Sequence, residues 1–279
     1  MRLTIWGCRG SVSTPGASTL AYGGNTSCVE VSLDEESALV LDAGTGITQL
    51  GRELVARGTR RIHLLLTHLH LDHLEGLRFF DPLWDSSVTV DVWGPRSTTL
   101  SLRESIVRSF SPPLFPVDFR DVSARVSFHD VPRHAWAIEG VRLESALVVH
   151  PGPTLGFRLE HDGASVAYLP DHEPALAGLD ERSLDWVSGA AIAEGADLLL
   201  HDAQYFDDEY QQRIGWGHSA VGDAVAFAEA TGVGRLLLFH HDPQHADARL
   251  AALGDEARAR WRGGGPEPEL AAEGMQIEV

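Results

Sequence analysis

The stretch THLHLDH, Thr67 to His73, sets His68, His70, Asp72 and His73 directly behind the apolar run Leu64, Leu65 and Leu66. Burying several imidazoles and a carboxylate at the end of a strand costs free energy unless something pairs with them. In an extended segment residues two apart share a face, so His68 and His70 point together, whereas Asp72 and His73 open a short helix and turn onto its first turn. Neutral imidazole and carboxylate suit Zn²⁺, Mn²⁺ or Fe²⁺, and the absence of nearby cysteine argues against a purely structural thiolate site.

Four further apolar runs end in the same residue types. ALVVH closes on His150, VAYLPD on Asp171, DLLLHD on His201 and Asp202, and RLLLFHH on His240 and His241. A rigid strand fixes the side chain that follows it, so the five runs are expected to converge on one rim. Counting ligands gives His68, His70 and His150 for one ion and Asp72, His73 and His240 for a second, with Asp171 able to bridge. A lone histidine at a strand end is ordinarily capped or satisfied in the core; His63, His129, His134, His161 and His245 read that way.

Around these runs the chain alternates short β-branched segments with turn-rich pieces. LTIWGC, CVEVSL, ALVLDAG, RIHLLLT, VTVDVWG, VRLESALVVH, TLGFRLE, SVAYLP, DLLLHDA and RLLLFHH read as strands. Helices are expected at about 46–57, from about Asp72, and at about 97–110, 220–230 and 246–260. Several strands are apolar on both faces, so a sheet covered by helices is implied. No repeat or linker divides the 279 residues, which read as one domain over 1–279. SFSPPLFPVDFRD (109–121) is the main irregular insertion, a lid over a site or an inert connection. The tail RGGGPEPELAAEG reads as solvated, with MQIEV as a possible edge strand.

Lys and Arg total 22 against 40 Asp and Glu, a formal charge of −18, which repels long polyanions in the absence of a basic patch. Cys8 and Cys28 are too few for a disulfide framework and fit a reducing compartment. No stretch approaches the roughly 20 apolar residues of a membrane span, so a cytoplasmic location is expected.

THLHLDH resembles the signature of the metallo-β-lactamase superfamily. The opening GCRGS, GGNTSCVEV and LVLDAGTGITQLG is similar to the phosphodiesterase branch of that family, the tRNase Z and phosphonate-pathway phosphodiesterase relatives. HPGPTLGFRLE resembles the segment carrying the third histidine, VAYLPDHE the one carrying the bridging aspartate. LLLHDAQYFDDEY with GWGHSAVGDAVAFAEATGVGRLLLFHHDPQH resembles the acidic, His-Ser-Thr and last-histidine motifs. The resemblance implies an α+β fold, a four-layer αββα sandwich with a dinuclear rim. It implies His68, His70, Asp72, His73, His150, Asp171 and His240 as metal ligands, His240 rather than its neighbour His241. It further implies Asp202 paired with His218 beside the scissile phosphate and Asp42 orienting a ligand histidine. The pattern departs at Asp202, where the branch more often has glutamate. A possible homodimer is a family expectation.

Two cations, zinc being the expected one on this donor set, would lower the pKa of a water they hold toward about 7, and the resulting metal-bound hydroxide, with Asp72 beside it, is the expected nucleophile. His218 with Asp202 then protonates the leaving alkoxide. The tRNA-processing members carry a basic, Gly/Pro-rich arm with no counterpart between Trp93 and Val149. The expected substrate is therefore a small phosphodiester such as a cyclic nucleotide, with Phe110, Phe115 and Phe119 as candidates to stack on its base, although aromatics in such a segment more often anchor it to the body. A carboxylic-ester, lactone or β-lactam hydrolase on the same ions is the alternative.

Overall fold

The computed structural model describes residues 1–32, 36–97, 99–174 and 184–279. The first part of the chain forms β1 (Arg2–Gly7), β2 (Cys28–Ser32), β3 (Ser37–Leu41), α1 (Ile47–Arg57), β4 (Arg61–Leu65), β5 (Thr89–Gly94), α2 (Leu102–Ser109) and β6 (Arg125–Asp130). The second forms β7 (Trp136–Ile138), β8 (Val141–Leu147), β9 (Leu155–His161), β10 (Ala164–Leu169), α3 (Ala190–Ala193), β11 (Leu198–Asp202), α4 (Asp207–Tyr210), α5 (Val221–Thr231), β12 (Leu236–Phe239), α6 (Asp247–Arg260), β13 (Glu269–Leu270) and β14 (Gln276–Glu278). The strands make two seven-stranded sheets, ordered β14-β1-β2-β3-β4-β5-β6 and β13-β12-β11-β10-β9-β8-β7.

The layers follow from the alternation of side chains along each strand. Leu39 and Leu41 of β3 face the second sheet, while Ala38 and Val40 face α1 and α2. In β12, Leu237 and Phe239 enter the core between the sheets, and Leu236 and Leu238 enter the core beneath α3, α5 and α6. Both sheets are apolar on both sides, so each must be covered twice, and the result is the αββα sandwich. On α1, Ile47, Leu50 and Leu54 are buried on the sheet-facing side; truncating Leu50 to alanine there costs about 2–5 kcal/mol.

All ten expected strands form, and MQIEV does supply the edge strand β14, antiparallel to β1. Leu33 and Thr98, on which an expected strand and helix run, lie outside the described residues. The helix expected from 97 starts instead at Leu102. Ser101 caps it, its hydroxyl accepting from Glu104 N while the Glu104 carboxylate accepts from Ser101 N, a reciprocal box that sets the start.

Two expectations are corrected. The tail is not wholly solvated, because β13 pairs in parallel with β12 and buries Leu270 and Ala271. Nor do Phe110, Phe115 and Phe119 present themselves to a ligand. Phe110 and Phe119 are buried, their rings 5.3 Å apart, and Phe115 packs against Phe110 and Phe79 at 5.5 and 5.7 Å. They fix the 109–121 segment to the body, since aromatic area is stabilised more by the apolar layer under α2 than by water.

Strands β3 to β6 run parallel, as do β10 to β13. The carboxyl ends of β3 and β4 meet those of β10, β11 and β12 at one rim, where loops replace strands.

Candidate metal centre

Five strand ends, and the loop between β8 and β9, deliver the candidate residues to that rim. Asp42 follows β3, the THLHLDH run follows β4, Asp171 follows β10, Asp202 ends β11 and His240 follows β12, while His150 lies between β8 and β9. Asp42 and His240 adopt left-handed backbone, φ 62° and 59°, a conformation uncommon outside glycine and one that aims each side chain off the line of its strand. Gly10 makes room for His240: a Cβ at that position would sit 2.5 Å from the imidazole ring.

Two adjoining groups result. One ligand atom from each of His68, His70 and His150 lies within 4.8 Å of the others, and the same holds for Asp72, His73, Asp171 and His240. Asp171 spans the two. Its Oδ1 is 2.9 Å from His73 Nε2 and 3.2 Å from His240 Nε2; its Oδ2 is 3.8 Å from His68 Nε2 and 3.7 Å from His150 Nε2. Asp72 Oδ2 lies 3.2 Å from His240 Nε2 and accepts from Ser11 N at 2.7 Å. His241 turns away, its Nε2 bonded to the Ala271 carbonyl at 2.8 Å.

The ring nitrogens that face away from the centre are individually held. His73 Nδ1 donates to Asp42 Oδ2 at 2.8 Å, His240 Nδ1 to Gln204 Oε1 at 3.1 Å and His150 Nδ1 to the Gly217 carbonyl at 2.9 Å. Thr67 Oγ1 lies 3.0 Å from His68 Nδ1 and donates toward Asp42, which also accepts from Thr67 N and Tyr168 Oη. Such bonds fix tautomer and ring angle and leave Nε2 lone pairs free for an electrophile.

The donor set fits divalent cations. Among the described residues His68 Nε2 and Asp171 Oδ1 are buried and make no hydrogen bond, although the carboxylate oxygen lies 2.9 Å from His73 Nε2. Lone pairs gathered at such distances repel unless positive charge sits among them. Burial works against charge on His73, yet Asp171, Asp42 and Asp72 outweigh it and hold the imidazole well above its ordinary pKa. Burial also opposes ionised Asp171, and His240, His73 and His68 reverse that, keeping its carboxyl well below the usual range. His68, His70 and His150 are lowered, chiefly by burial, toward the neutral form that binds a metal.

His218 stands at the edge of the cluster, its ring stacked on His240 at 4.9 Å and edge-on to His150 at 5.0 Å. Its Nδ1 is 2.6 Å from Asp202 Oδ2, so the shorter acid found here reaches the imidazole. Burial lowers its pKa, but Asp202, joined by Asp171 and Asp72, more than compensates and the net position is about 9. Asp202 further accepts from Gln204 N, Ser219 N and His172 N, which fixes the carboxylate from several sides.

Sequence reading missed Gln204 and Glu173. Glu173 is buried and accepts from Tyr210 Oη at 2.6 Å, Gly215 N at 2.8 Å and Gly217 N at 2.7 Å, pinning the segment that bears His218 and the carbonyl bonded to His150. Gly217, with φ 88°, also allows close approach, as a Cβ there would sit 2.5 Å from His150 Nδ1. Glu173 lies two residues beyond Asp171 in LPDHE, and that proximity was its only signal. Of the remaining histidines, His129 pairs with Asp91 and His245 with Glu209, and neither joins the gathered ligand atoms.

A family model described as Beta-lactamase superfamily domain matches residues 38–241. Ribonuclease Z of Haloarcula marismortui is 28% identical over 318 residues, covering 100% of this chain and 97% of that protein. Among solved structures, the metallo-beta-lactamase fold protein YhfI from Bacillus subtilis superposes with a TM-score of 0.71 at 20% identity, covering 100% of this chain and 98% of that one. A diphosphatase from the PhnP family gives 0.68 at 20% identity, with 100% and 97% covered.

Proposed function

Because the chain belongs to the beta-lactamase superfamily and is a metal-dependent hydrolase, we propose that it cleaves a compact phosphodiester at the two adjoining groups. His68, His70 and His150 would hold one divalent ion and Asp72, His73 and His240 a second, with Asp171 shared; zinc suits this donor set, and manganese and iron accept it. Such a pair of ions supplies an activated water and neutralises charge on the non-bridging phosphate oxygens.

The side chains do the rest. Asp42, Gln204 and the Gly217 carbonyl keep three imidazoles aimed inward and in one tautomer. Asp72 is held by Ser11 N so that its carboxylate faces His240 and the reacting space. Asp202 holds His218 through Nδ1 and favours the imidazolium, which leaves the Nε2 proton for the departing oxygen. That couple is the observation carrying the phosphodiester reading, because an alkoxide leaving phosphorus needs a proton.

Compactness of the substrate is supported by the charge of −18 and by the described residues from 99 to 149, which contribute α2 and β6 to β8 to the body. The ribonuclease Z relatives make an RNA phosphodiester the competing substrate. A cytoplasmic setting fits the two buried free thiols, Cys8 and Cys28; among the described residues no helix is long and apolar enough to cross a membrane.

Zinc-loaded protein assayed on bis(p-nitrophenyl) phosphate, a 2′,3′-cyclic nucleotide, a precursor tRNA transcript and p-nitrophenyl acetate tests this. Turnover of the small diesters, lost in His218→Ala with metal content unchanged, is expected. Turnover of the acetate alone would remove the phosphodiester reading, and of the transcript alone the compact substrate.

A further inference from the structure

The cluster lies between two clefts that share Pro151. One, of about 160 Å³, is lined by His68, His70, Arg96 and Ser97; the other, of about 570 Å³, opens on His218 and is lined by Tyr205, Arg213, Trp216 and Gln244. Their cations differ. Arg96 stands 3.5 Å from Asp130, which offsets its charge. Arg213 is half-buried, with its guanidinium 4.8 Å from the Tyr205 ring centroid and Nη1 donating to the Glu209 carbonyl at 2.9 Å; among the described residues it has no ion pair. Tyr205 in turn lies 6.0 Å, ring to ring, from His218. An unpaired guanidinium one side chain away from the reacting histidine is notable in a chain of net charge −18.

Trp216 gives the cleft its second character. The indole is 58% exposed although the backbone on both sides of it is pinned, through Gly215 N and Gly217 N, to the buried Glu173 carboxylate. An aromatic face open to solvent, carried on pinned backbone beside a cation, matches a planar base joined to an anion. Asp242 also lines the wall, and its Oδ1 is engaged by Gln244 N at 2.7 Å. The volume lies within the range of pockets that enclose a molecule of mononucleotide size.

We propose that the larger cleft is the leaving-group subsite and that it accepts a nucleotide, with the base on Trp216 and its phosphate on Arg213. This rests on the proposed role of His218: the group that receives its proton departs on the His218 side, which is where this cleft opens. The smaller cleft beside His68 and His70 then receives the half that keeps the phosphoryl group. The substrate class becomes a phosphodiester whose leaving group is a nucleotide rather than a simple alcohol.

Calorimetric binding of adenosine 5′-monophosphate and of adenosine to the zinc-loaded protein tests the subsite apart from turnover. The nucleotide is expected to bind more tightly than the nucleoside. Arg213→Met should weaken the nucleotide about tenfold and leave adenosine unchanged, so retained adenosine binding also reports an intact fold. Trp216→Ala should weaken both about tenfold, and Arg96→Met neither. Nucleotide affinity indifferent to Arg213, or lost instead in Arg96→Met, would overturn the subsite even if diesters are hydrolysed. Arg213-dependent binding without any diester hydrolysis would support the subsite and remove the catalytic reading instead.

Discussion

His218 Nδ1 and Asp202 Oδ2 are 2.6 Å apart at the edge of the histidine cluster, and the carboxylate also accepts backbone N–H bonds from His172, Gln204 and Ser219. The acid therefore sets both the charge and the direction of the imidazole. Asp202→Asn should lower kcat about 10²–10⁴-fold with bound metal unchanged. The loss should be smaller for a p-nitrophenyl diester than for an alkyl diester, because the better leaving group needs less protonation. Equal losses on the two would mean that the pair is only structural.

Asp42 orients His73 at 2.8 Å and takes Thr67 and Tyr168 as further donors. In Asp42→Ala the His73 ring loses its anchor, and zinc affinity should drop about 10–100-fold. Chelator competition measures this directly; unchanged affinity would show that His73 is held by its packing alone.

Glu173 receives Tyr210 Oη and two backbone N–H groups, and no hydrogen bond is donated from its anionic oxygens. A glutamine would turn one amide N–H toward other donors, with buried unsatisfied groups costing about 1–3 kcal/mol each. Glu173→Gln is expected to lower kcat about tenfold with KM nearly constant, and Glu173→Asp, which keeps both anionic acceptors, to recover part of it. A fall in thermal midpoint with kcat intact would confine Glu173 to stability.

Acid sensitivity should be traceable to His201. Its Nδ1 donates to the Asp202 carbonyl at 2.7 Å, so Nε2 must accept from His172 Nδ1 at 2.9 Å, and burial pushes its pKa down to about 4. The unfolded chain binds this proton at about 6.5, so the contribution is complete above pH 6.5 and is lost as pH falls toward 4, up to roughly 3 kcal/mol. Urea unfolding of wild type and His201→Gln between pH 4 and 8 measures it. The variant should be less stable at pH 7 and show a flatter acid limb; parallel profiles would rule the group out.

Metal removal should destabilise the fold, because His68 Nε2 and Asp171 Oδ1 are buried without hydrogen bonds among the described residues. With zinc at a hundred times its dissociation constant the gain is about 2.7 kcal/mol per site, so chelation should lower Tm by roughly 5–10 °C. Scanning calorimetry with and without chelator decides the matter, and an unchanged midpoint would argue against resident ions.

Elements whose partners are set by their own hydrophobic pattern were readable in advance. Strands such as Leu198–Asp202 and Leu236–Phe239 are buried on both faces and stand out as apolar runs. Strand β6 escaped notice because its side chains are only half-buried along its length, and β7 and β13 because strands of three and two residues carry no periodicity. The 109–121 segment stayed open between lid and connection because its phenylalanines look identical in sequence whether they face a ligand or a core.

Within the sequence itself lay the ligand chemistry: imidazoles and carboxylates at spacings of one and two residues behind a strand define a local geometry that needs no distant contact. Tertiary structure alone revealed that Gln204 holds His240 and that Glu173 holds the His218 segment, and it supplied the geometry behind two expectations, His240 turned inward with His241 away and Asp171 within reach of both groups. Those relations join residues far apart along the chain, and their directions depend on backbone angles such as φ 59° at His240, set by packing that no single segment contains.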